Sequence, residues 1–168
     1  MTLDAAAVER AAASRFGKKF ELHPELPSTN DRARELAAQG APEGTLVVAL
    51  RQTGGRGRLG RSWASPVGGL YLSLVLRPDK GMLERASLAL VAGLAASEAL
   101  DAAGRTATSL KWPNDVLLDG KKIGGLLAEV TRERNEAVVV LGVGLNVDTP
   151  ADAFPPEVRG IATSLRVA

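Results

Sequence analysis

The chain has 168 residues, 45% of them hydrophobic and 24% charged, which is the composition of one folded domain rather than of a disordered chain. It contains no cysteine and one histidine, His23, which excludes disulfides and metal sites built from cysteine or histidine clusters. The 21 lysine and arginine residues exceed the 19 aspartate and glutamate residues by too little for a general nucleic-acid binder.

The sequence shows no signal for export or membrane insertion. Its start, MTLDAAAVER, lacks the basic and then apolar layout of a secretory signal. The uncharged apolar stretch over residues 86–97 is far shorter than the ~20 residues that span a bilayer, and it predicts a buried helix. We expect a cytoplasmic protein without a membrane partner.

The first part of the chain predicts two helices and two strands. An alanine-rich run over residues 3–16 favours a helix, and residues 19–22 favour a short strand. The polar run STN at residues 28–30 precedes a helical run that ends at residue 40, so one of these three residues should cap that helix. The β-branched apolar run over residues 45–50 predicts a largely buried strand.

The second part predicts a long helix among several strands. The helix should cover residues 83–103, and the Asp119-Gly120 pair predicts a tight hairpin. The expected strands cover residues 70–77, 109–112, 116–118, 122–130 and 137–141. The tail over residues 148–168 shows no clear element. Adjacent strands with helices grouped before and between them predict an α+β fold with a mixed, mostly antiparallel sheet.

Residues 51–69, here called the Gly/Arg loop, separate two predicted strands. The loop contains the pattern Gly55-x-Gly57-x-x-Gly60, but no helix follows, so a dinucleotide-binding fingerprint is rejected. Its arginines are Arg51, Arg56, Arg58 and Arg61. Flexible glycines and guanidinium groups favour a loop that binds carboxylate or phosphate. A solvated surface loop and a non-specific nucleic-acid contact stay open as alternatives.

The segment KWPNDVLLDGKKIGGLLAE combines charges with a glycine pair inside a predicted strand. By composition alone, Lys111, Asp115 and Lys122 would be ordinary exposed charges. Strict alternation places Gly124 on the same face as Lys122 and Gly125 on the other face, unless a bulge resets the register. The glycines of GVGLNV indicate tight packing at the end of a buried strand.

Four segments together, STN, GRGRLGRSWASPVGGLYLS, KWPNDVLLDGKKIGGLLAE and GVGLNV, resemble the catalytic domain of biotin protein ligases in identity, order and spacing. The resemblance covers residues 28–147. It implies a single catalytic domain over residues 1–168 with a tail over 148–168, and the fold of biotin and lipoate ligases, which is similar to that of class II aminoacyl-tRNA synthetases.

The resemblance also implies which residues bind biotin. Its ureido and ring end would contact Ser28, Thr29, Asn30 and Gln52, with Tyr71 nearby. Residues that match positions lining the biotin and nucleotide pocket are Gly125, Gly142 and Asn146.

The nucleotide and the reacting carboxylate would contact a second set of residues. The biotin carboxylate and the adenylate phosphate would be covered by Gly55, Arg56, Gly57 and Arg58, with Trp63 near the adenine. Lys111, Asn114 and Asp115 would lie beside the phosphates and Mg²⁺, whose ligands the sequence does not identify, and Lys122 at the reacting carboxylate.

The implied reaction activates biotin with ATP to biotinyl-5′-AMP and then transfers the biotinyl group to a lysine of a biotin carboxyl carrier protein. Catalysis would depend on Lys122, Arg58, Asp115 and Lys111, with fixed positive charge stabilising the developing negative charge and Asp115 accepting the amine proton. Only 27 residues precede Ser28, so we expect no DNA-binding domain. The sequence stops about where the small C-terminal β domain of many relatives would begin, so either a naturally minimal ligase or a truncated one is expected. Whether the protein forms a homodimer stays open.

Two other functions remain alternatives at this point. A lipoate or octanoate ligase or transferase would share the fold, although the GRGRLGR loop with KWPND favours biotin. A nucleic-acid-binding module could use the basic loop, although few aromatic residues accompany the arginines.

Overall fold

The computed structural model describes residues 19–78, 85–104, 106–133 and 136–168. Its helices are α1 (Thr29–Ala38) and α2 (Arg85–Gly104). Its strands are β1 (Phe20–His23), β2 (Leu46–Ala49), β3 (Gly69–Leu76), β4 (Thr108–Lys111), β5 (Asp115–Leu118), β6 (Lys121–Glu133) and β7 (Glu136–Asn146). The helix expected over residues 3–16, and the first two residues of the one expected over 83–103, lie outside the described residues.

The strands form one sheet of seven in the order β1-β2-β3-β7-β6-β5-β4. Strands β1 and β2 are parallel, and each of the other neighbouring pairs is antiparallel. This confirms the predicted α+β class with a mixed, mostly antiparallel sheet. The longest strand pairings lie at the centre of the sheet, between β3 and β7 and between β6 and β7.

The two helices pack on opposite faces of the sheet. Along β7, Val138 and Val140 belong to the core beneath α1, whereas Leu145, with Val143 packed against it, belongs to the core beneath α2. Alternating strand residues point to opposite faces, so the parity of β7 assigns each core to its side. Gly142 shares the parity of Val138 and Val140, and therefore lies on the α1 face.

The prediction that residues 86–97 form a buried helix is wrong for one side of α2. Ala96 and Leu100 are buried against the sheet, but Val91 is 67% exposed and Leu94 is 52% exposed. A helix that covers a single sheet face has only one side to bury. Among the residues that the structure describes, no helix is long and apolar enough to cross a membrane.

A bulge in β6 reverses the expected facing of the glycine pair. Asp115 pairs with Gly125, but Leu117 pairs with Lys122, so β6 contains one residue more than β5 over this stretch. A Cβ on Gly125 would lie 3.3 Å from Lys122 Cε. Lys122 therefore shares a face with Gly125 rather than with Gly124, which is the exception to strict alternation that a bulge would produce.

The tail over residues 148–168 forms hydrogen bonds with the backbone at this bulge. The composition of the tail did not predict these contacts. The Lys122 N–H donates to Ile161 O at 2.7 Å, and the Thr163 N–H donates to Lys122 O at 2.9 Å. Leu165 packs against the core beneath α2. The tail, expected to lack an element, contains a short 3₁₀ turn at Ala151–Ala153.

Candidate functional site

A cavity of about 360 Å³ opens at the N-terminus of α1, between the sheet and the Gly/Arg loop. Most of the residues singled out from the sequence line it, namely Ser28, Thr29, Asn30, Gln52, Arg56, Gly57, Arg58, Trp63, Lys111, Asn114, Asp115, Lys122, Gly125 and Gly142. Segments far apart in the chain therefore meet around one space.

Two glycines of β7 make room for side chains on the sheet face of the cavity. A Cβ on Gly142 would overlap the Asn30 amide, and a Cβ on Gly144 would lie 2.6 Å from Trp63 Nε1. Gly144 pairs with Gly125, which packs against Lys122. Gly142, which faces Asn30, and Gly144, which lies opposite Gly125, are two residues apart on β7, roughly 7 Å along the strand.

Ser28, Thr29, Asn30 and Gln52 form what we call the polar end of the cavity. Ser28 caps α1, as predicted for this polar run, and its Oγ accepts from the Asp31 N–H. The Thr29 N–H donates to Gln52 Oε1 at 2.8 Å, and Gln52 Nε2 donates to Ser65 Oγ at 2.9 Å. The polar end is an uncharged network that is already hydrogen-bonded.

Ser73 and Glu129 fix the Asn30 amide from two sides. The buried Ser73 hydroxyl donates to Asn30 Oδ1 at 2.5 Å and lies 2.8 Å from Thr29 Oγ1. Asn30 Nδ2 donates to Glu129 Oε2 at 2.7 Å. Because one partner accepts and the other donates, the amide has a single favourable orientation.

The Gly/Arg loop covers the cavity as a small hairpin. The Trp63 N–H donates to Gly55 O at 2.9 Å, and the Gly57 N–H donates to Arg61 O at 2.7 Å. The indole of Trp63 lies on the sheet side, with Lys122 Nζ 5.1 Å from the ring centroid. Its buried Nε1 has no hydrogen-bond partner in the described residues.

Arg56 forms ion pairs with the protein itself. Its two terminal nitrogens donate to Asp31 Oδ2 and Oδ1 at 2.5 Å and 2.8 Å, and Glu129 Oε2 lies 3.5 Å away. The hydrogen bonds from Arg56 lower the pKa of Asp31, and those to Asp31 raise the pKa of Arg56. Both groups therefore stay charged at neutral pH.

Arg58, Lys111, Asp115 and Lys122 form the opposite side of the cavity, here called the cationic end. Lys122 Nζ lies 2.6 Å from Asp115 Oδ1. Arg58 lies 3.5 Å from Asn114 Oδ1, a long contact, and both Arg58 and Lys111 are exposed. Arg58 and Lys111 are thus open to an anionic ligand, whereas Lys122 already forms an ion pair with Asp115 in the cavity wall.

Three predicted binding residues, Gly55, Tyr71 and Asn146, lie away from the cavity wall. A Cβ on Gly55 would lie 2.6 Å from Ser65 Oγ, inside the loop hairpin. Tyr71 is fully buried and donates to Pro66 O at 2.8 Å, and burial raises the pKa of its hydroxyl. Asn146 Nδ2 donates to Thr163 O in the tail. Gly55 and Tyr71 thus make contacts within the Gly/Arg loop, and Asn146 binds the tail.

Sequence reasoning passed over Asp31, Ser73, Glu129 and Trp112. Ser73 carried a signal, since alternation in LYLSLVLR places it with Tyr71 and Val75 on an apolar face. Trp112 lines the cavity and is 74% exposed. The pair of Asp31 with Arg34 is local, but the contacts of Asp31 with Arg56 and of Glu129 with Arg34 span 25 and 95 residues and had no local signal.

The carboxylates suit a metal that arrives with phosphate better than a metal caged by protein. The described residues contain no group of three or more His, Cys, Asp or Glu side chains that could hold a metal ion. Asp115 places a carboxylate in the cavity wall. Mg²⁺ commonly binds one or two carboxylates together with substrate phosphates and water, and Asp115 fits that pattern.

Comparison with known proteins gives concordant results. The sequence profile of the Biotin/lipoate A/B protein ligase family matches residues 22–146. The bifunctional ligase/repressor BirA of Bacillus spizizenii is 44% identical over 163 residues, covering 92% of this chain and 50% of that protein. The Biotin--[acetyl-CoA-carboxylase] ligase of Paracoccus denitrificans is 43% identical over 129 residues, covering 75% of this chain and 53% of that protein.

A solved structure agrees with the sequence matches. The biotin protein ligase from Aquifex aeolicus in complex with biotin and ATP has a TM-score of 0.73 and 42% identity, covering 88% of this chain and 60% of that one. The chain spans about half the length of the curated relatives it matches.

Proposed function

The chain belongs to the biotin/lipoate A/B protein ligase family, and we propose that it converts biotin and ATP to biotinyl-5′-AMP and pyrophosphate, then transfers the biotinyl group to a lysine of a biotin carboxyl carrier protein. The observation that carries this proposal is the pairing of an uncharged polar end with a cationic end in one cavity. Biotin is a molecule with a neutral ureido ring at one end and a carboxylate at the other.

The polar end suits the ureido ring. A ureido group has one carbonyl acceptor and two N–H donors, so it needs both kinds of partner at fixed positions. Ser28, Thr29, Asn30 and Gln52 supply hydroxyl and amide groups that are already oriented by neighbouring residues. Because this network is formed beforehand, binding would lose little side-chain entropy there.

The cationic end suits the first chemical step. A biotin carboxylate oxygen attacks the α-phosphorus of ATP, the new C–O–P link forms, and pyrophosphate leaves. Lys122, Lys111 and Arg58 would offset the charge that develops on the phosphoryl oxygens. Mg²⁺, with Asp115 as a protein ligand, would supply further charge neutralisation on the phosphates.

The second step needs a neutral amine. The carrier lysine attacks the mixed anhydride carbonyl, AMP leaves with the electrons of the broken C–O bond, and the amine proton must be accepted. Asp115 is the carboxylate in the wall beside Lys122 and is our candidate base. Since the reaction consumes ATP and modifies a carrier protein, we place it in the cytoplasm. Whether the chain forms a homodimer stays open, and lack of DNA binding stays a prediction.

The related alternative is lipoate or octanoate as the acyl substrate. These acids carry a dithiolane ring or an alkyl chain, which offers no hydrogen bonds to Thr29, Asn30 or Gln52. These groups keep their partners within the protein, but an apolar chain would cut their remaining hydrogen-bonding capacity off from water and give nothing in return. The polar end therefore favours biotin.

The test is calorimetry with biotin, with lipoate, and with biotin plus ATP and Mg²⁺, followed by pyrophosphate release and labelling of a purified carrier domain. We expect biotin to bind, lipoate to bind far more weakly, and pyrophosphate to appear only when biotin is present. Pyrophosphate release driven by lipoate and not by biotin would reject the substrate assignment.

A further inference from the structure

Arg56 is held by acidic side chains on α1 and β6, rather than by other residues of the Gly/Arg loop. Asp31 lies in the first turn of α1 and accepts both of its terminal nitrogens, and Glu129 on β6 lies 3.5 Å from one of them. Arg34 bridges the same two carboxylates, at 2.8 Å from Asp31 Oδ1 and 3.0 Å from Glu129 Oε2. The cluster is thus electrically balanced.

Residues 55–63 form the tip of the Gly/Arg loop, and the remaining contacts of this tip explain why the ion pair matters. The bonds between Gly55 and Trp63 and between Gly57 and Arg61 join the tip to itself. Arg58 reaches Asn114 only at 3.5 Å. Among the described polar contacts, the paired hydrogen bonds to Asp31 are therefore the shortest that join the tip to the body of the protein.

We propose that Asp31, assisted by Glu129, is a positioning residue that latches the Gly/Arg loop over the cavity through Arg56. In this arrangement the ion pairs of Arg56 hold the loop in place. The positive charge that faces a bound anion comes from Arg58 and the two lysines of the cationic end. The Glu129 carboxylate also accepts a hydrogen bond from the Asn30 amide. Asn30, Arg34 and Arg56 therefore all contact Glu129. The latch therefore joins the loop to the polar end.

The first test needs no ligand. In the free protein, Asp31→Asn should raise the rate of tryptic cleavage after Arg58 and Arg61 by about fivefold, the effect expected for a partly exposed ion pair. The matched control Glu25→Gln breaks a similar pair, Arg51 with Glu25 at 2.6 Å, at the base of the loop. It should leave those cleavage rates unchanged, and Asp31→Glu should restore the wild-type rate.

A double-mutant cycle separates the latch from an effect on α1 itself. Asp31 carries negative charge in the first helical turn, so its removal also weakens the helix. Arg56→Gln leaves the helix intact and should raise the same cleavage rates, and the double variant should match either single variant. Additive effects, or a cleavage rate unchanged by Asp31→Asn, would overturn the proposal.

The consequence for the reaction rests on the proposed function. An unlatched loop should release biotinyl-5′-AMP faster, so Asp31→Asn should label bystander proteins more than wild type does, with a smaller change in biotin affinity. Asp31→Glu keeps the carboxylate, so it should label bystander proteins no more than wild type does. If neither variant nor wild type forms the adenylate, the proposed function fails, while the cleavage result in the free protein still decides the latch.

Discussion

The polar end and the cationic end of the cavity are built on different principles. At the polar end Ser28, Thr29 and Asn30 are buried, and each has hydrogen-bond partners within the protein. At the cationic end Lys111 and the neighbouring Trp112 are exposed. One end is buried and hydrogen-bonded within the protein before any ligand arrives, whereas the other is open to solvent.

The difference fits the two tasks that the proposed reaction requires. Recognition of a neutral ring depends on fixed donors and acceptors, because misplaced hydrogen bonds discriminate poorly. Transfer to a protein lysine depends on an opening through which that lysine can reach the anhydride. Substitutions at the polar end should therefore change biotin affinity through geometry, and those at the cationic end should act through charge.

The largest effect is expected for Gly142→Ala, which disturbs the polar end. Its Cβ would overlap the Asn30 amide, so Asn30 must leave the orientation set by Ser73 and Glu129. We expect biotin binding to weaken by about 2–3 kcal/mol in calorimetry, as for other overpacked sites. Gly160→Ala is the control, since nothing lies within 4 Å of its added Cβ. Equal biotin affinity in both variants would contradict this role of Asn30.

Lys122→Ala tests the cationic end by removing its central charge. A charge-assisted contact of this kind contributes roughly 1.5–3 kcal/mol, so biotin affinity and pyrophosphate release at low biotin concentration should both fall. The neighbouring Lys121→Ala is the control, because Lys121 is exposed and lies outside the cavity lining. Unchanged pyrophosphate release by Lys122→Ala would remove Lys122 from the reaction.

Local patterns were sufficient to predict most of the fold. The expected strand over residues 70–77 is β3, and the expected start of a helix after the STN run is the Ser28 cap of α1. The β6 bulge and the tail contacts at Lys122 were not predictable in this way. A bulge depends on which residues face each other across strands, and neither periodicity nor propensity contains that information.

The site was predictable where its residues form short motifs, and not where they are isolated. Thr29, Arg58 and Lys122 came from recognisable segments, and they line one cavity. Glu129 and Asp31 are single acidic residues, and Arg56, which both of them contact, lies 73 and 25 positions away from them along the chain. Only the folded chain shows that these carboxylates and Arg56 form one cluster.

Ser73→Ala should have a smaller effect on the polar end than Gly142→Ala. The change removes the donor to Asn30 Oδ1 without adding bulk, and the amide keeps its bond to Glu129. We expect biotin binding to weaken by about 1 kcal/mol, the usual contribution of one hydrogen bond. Ser109→Ala, at an exposed position of β4, should bind biotin like wild type. Wild-type affinity in Ser73→Ala would show that Asn30 does not need this partner.

The smallest effect concerns the anchoring of α1, on which the rigidity of the polar end depends. Arg32 on α1 donates to both carboxylate oxygens of Glu21 on β1, at 2.9 Å and 3.0 Å. These hydrogen bonds lower the pKa of Glu21 from its usual 4.5 to about 2. A lowered pKa means that the pair stabilises the fold fully above pH 4.5 and loses this contribution as the pH falls towards 2.

Urea unfolding of Glu21→Gln and wild type therefore gives a prediction with a definite sign. At neutral pH the variant should be less stable by on the order of 0.5–1 kcal/mol, because the pair is partly exposed to solvent. Near the lowered pKa the two proteins should become equal, since Glu21 is then becoming protonated in the folded state as well. Glu35→Gln removes a contact to the same arginine from a carboxylate that is 61% exposed, and it should change stability less at neutral pH. A difference between Glu21→Gln and wild type that persists undiminished in acid would show that Glu21 anchors α1 by packing rather than by charge.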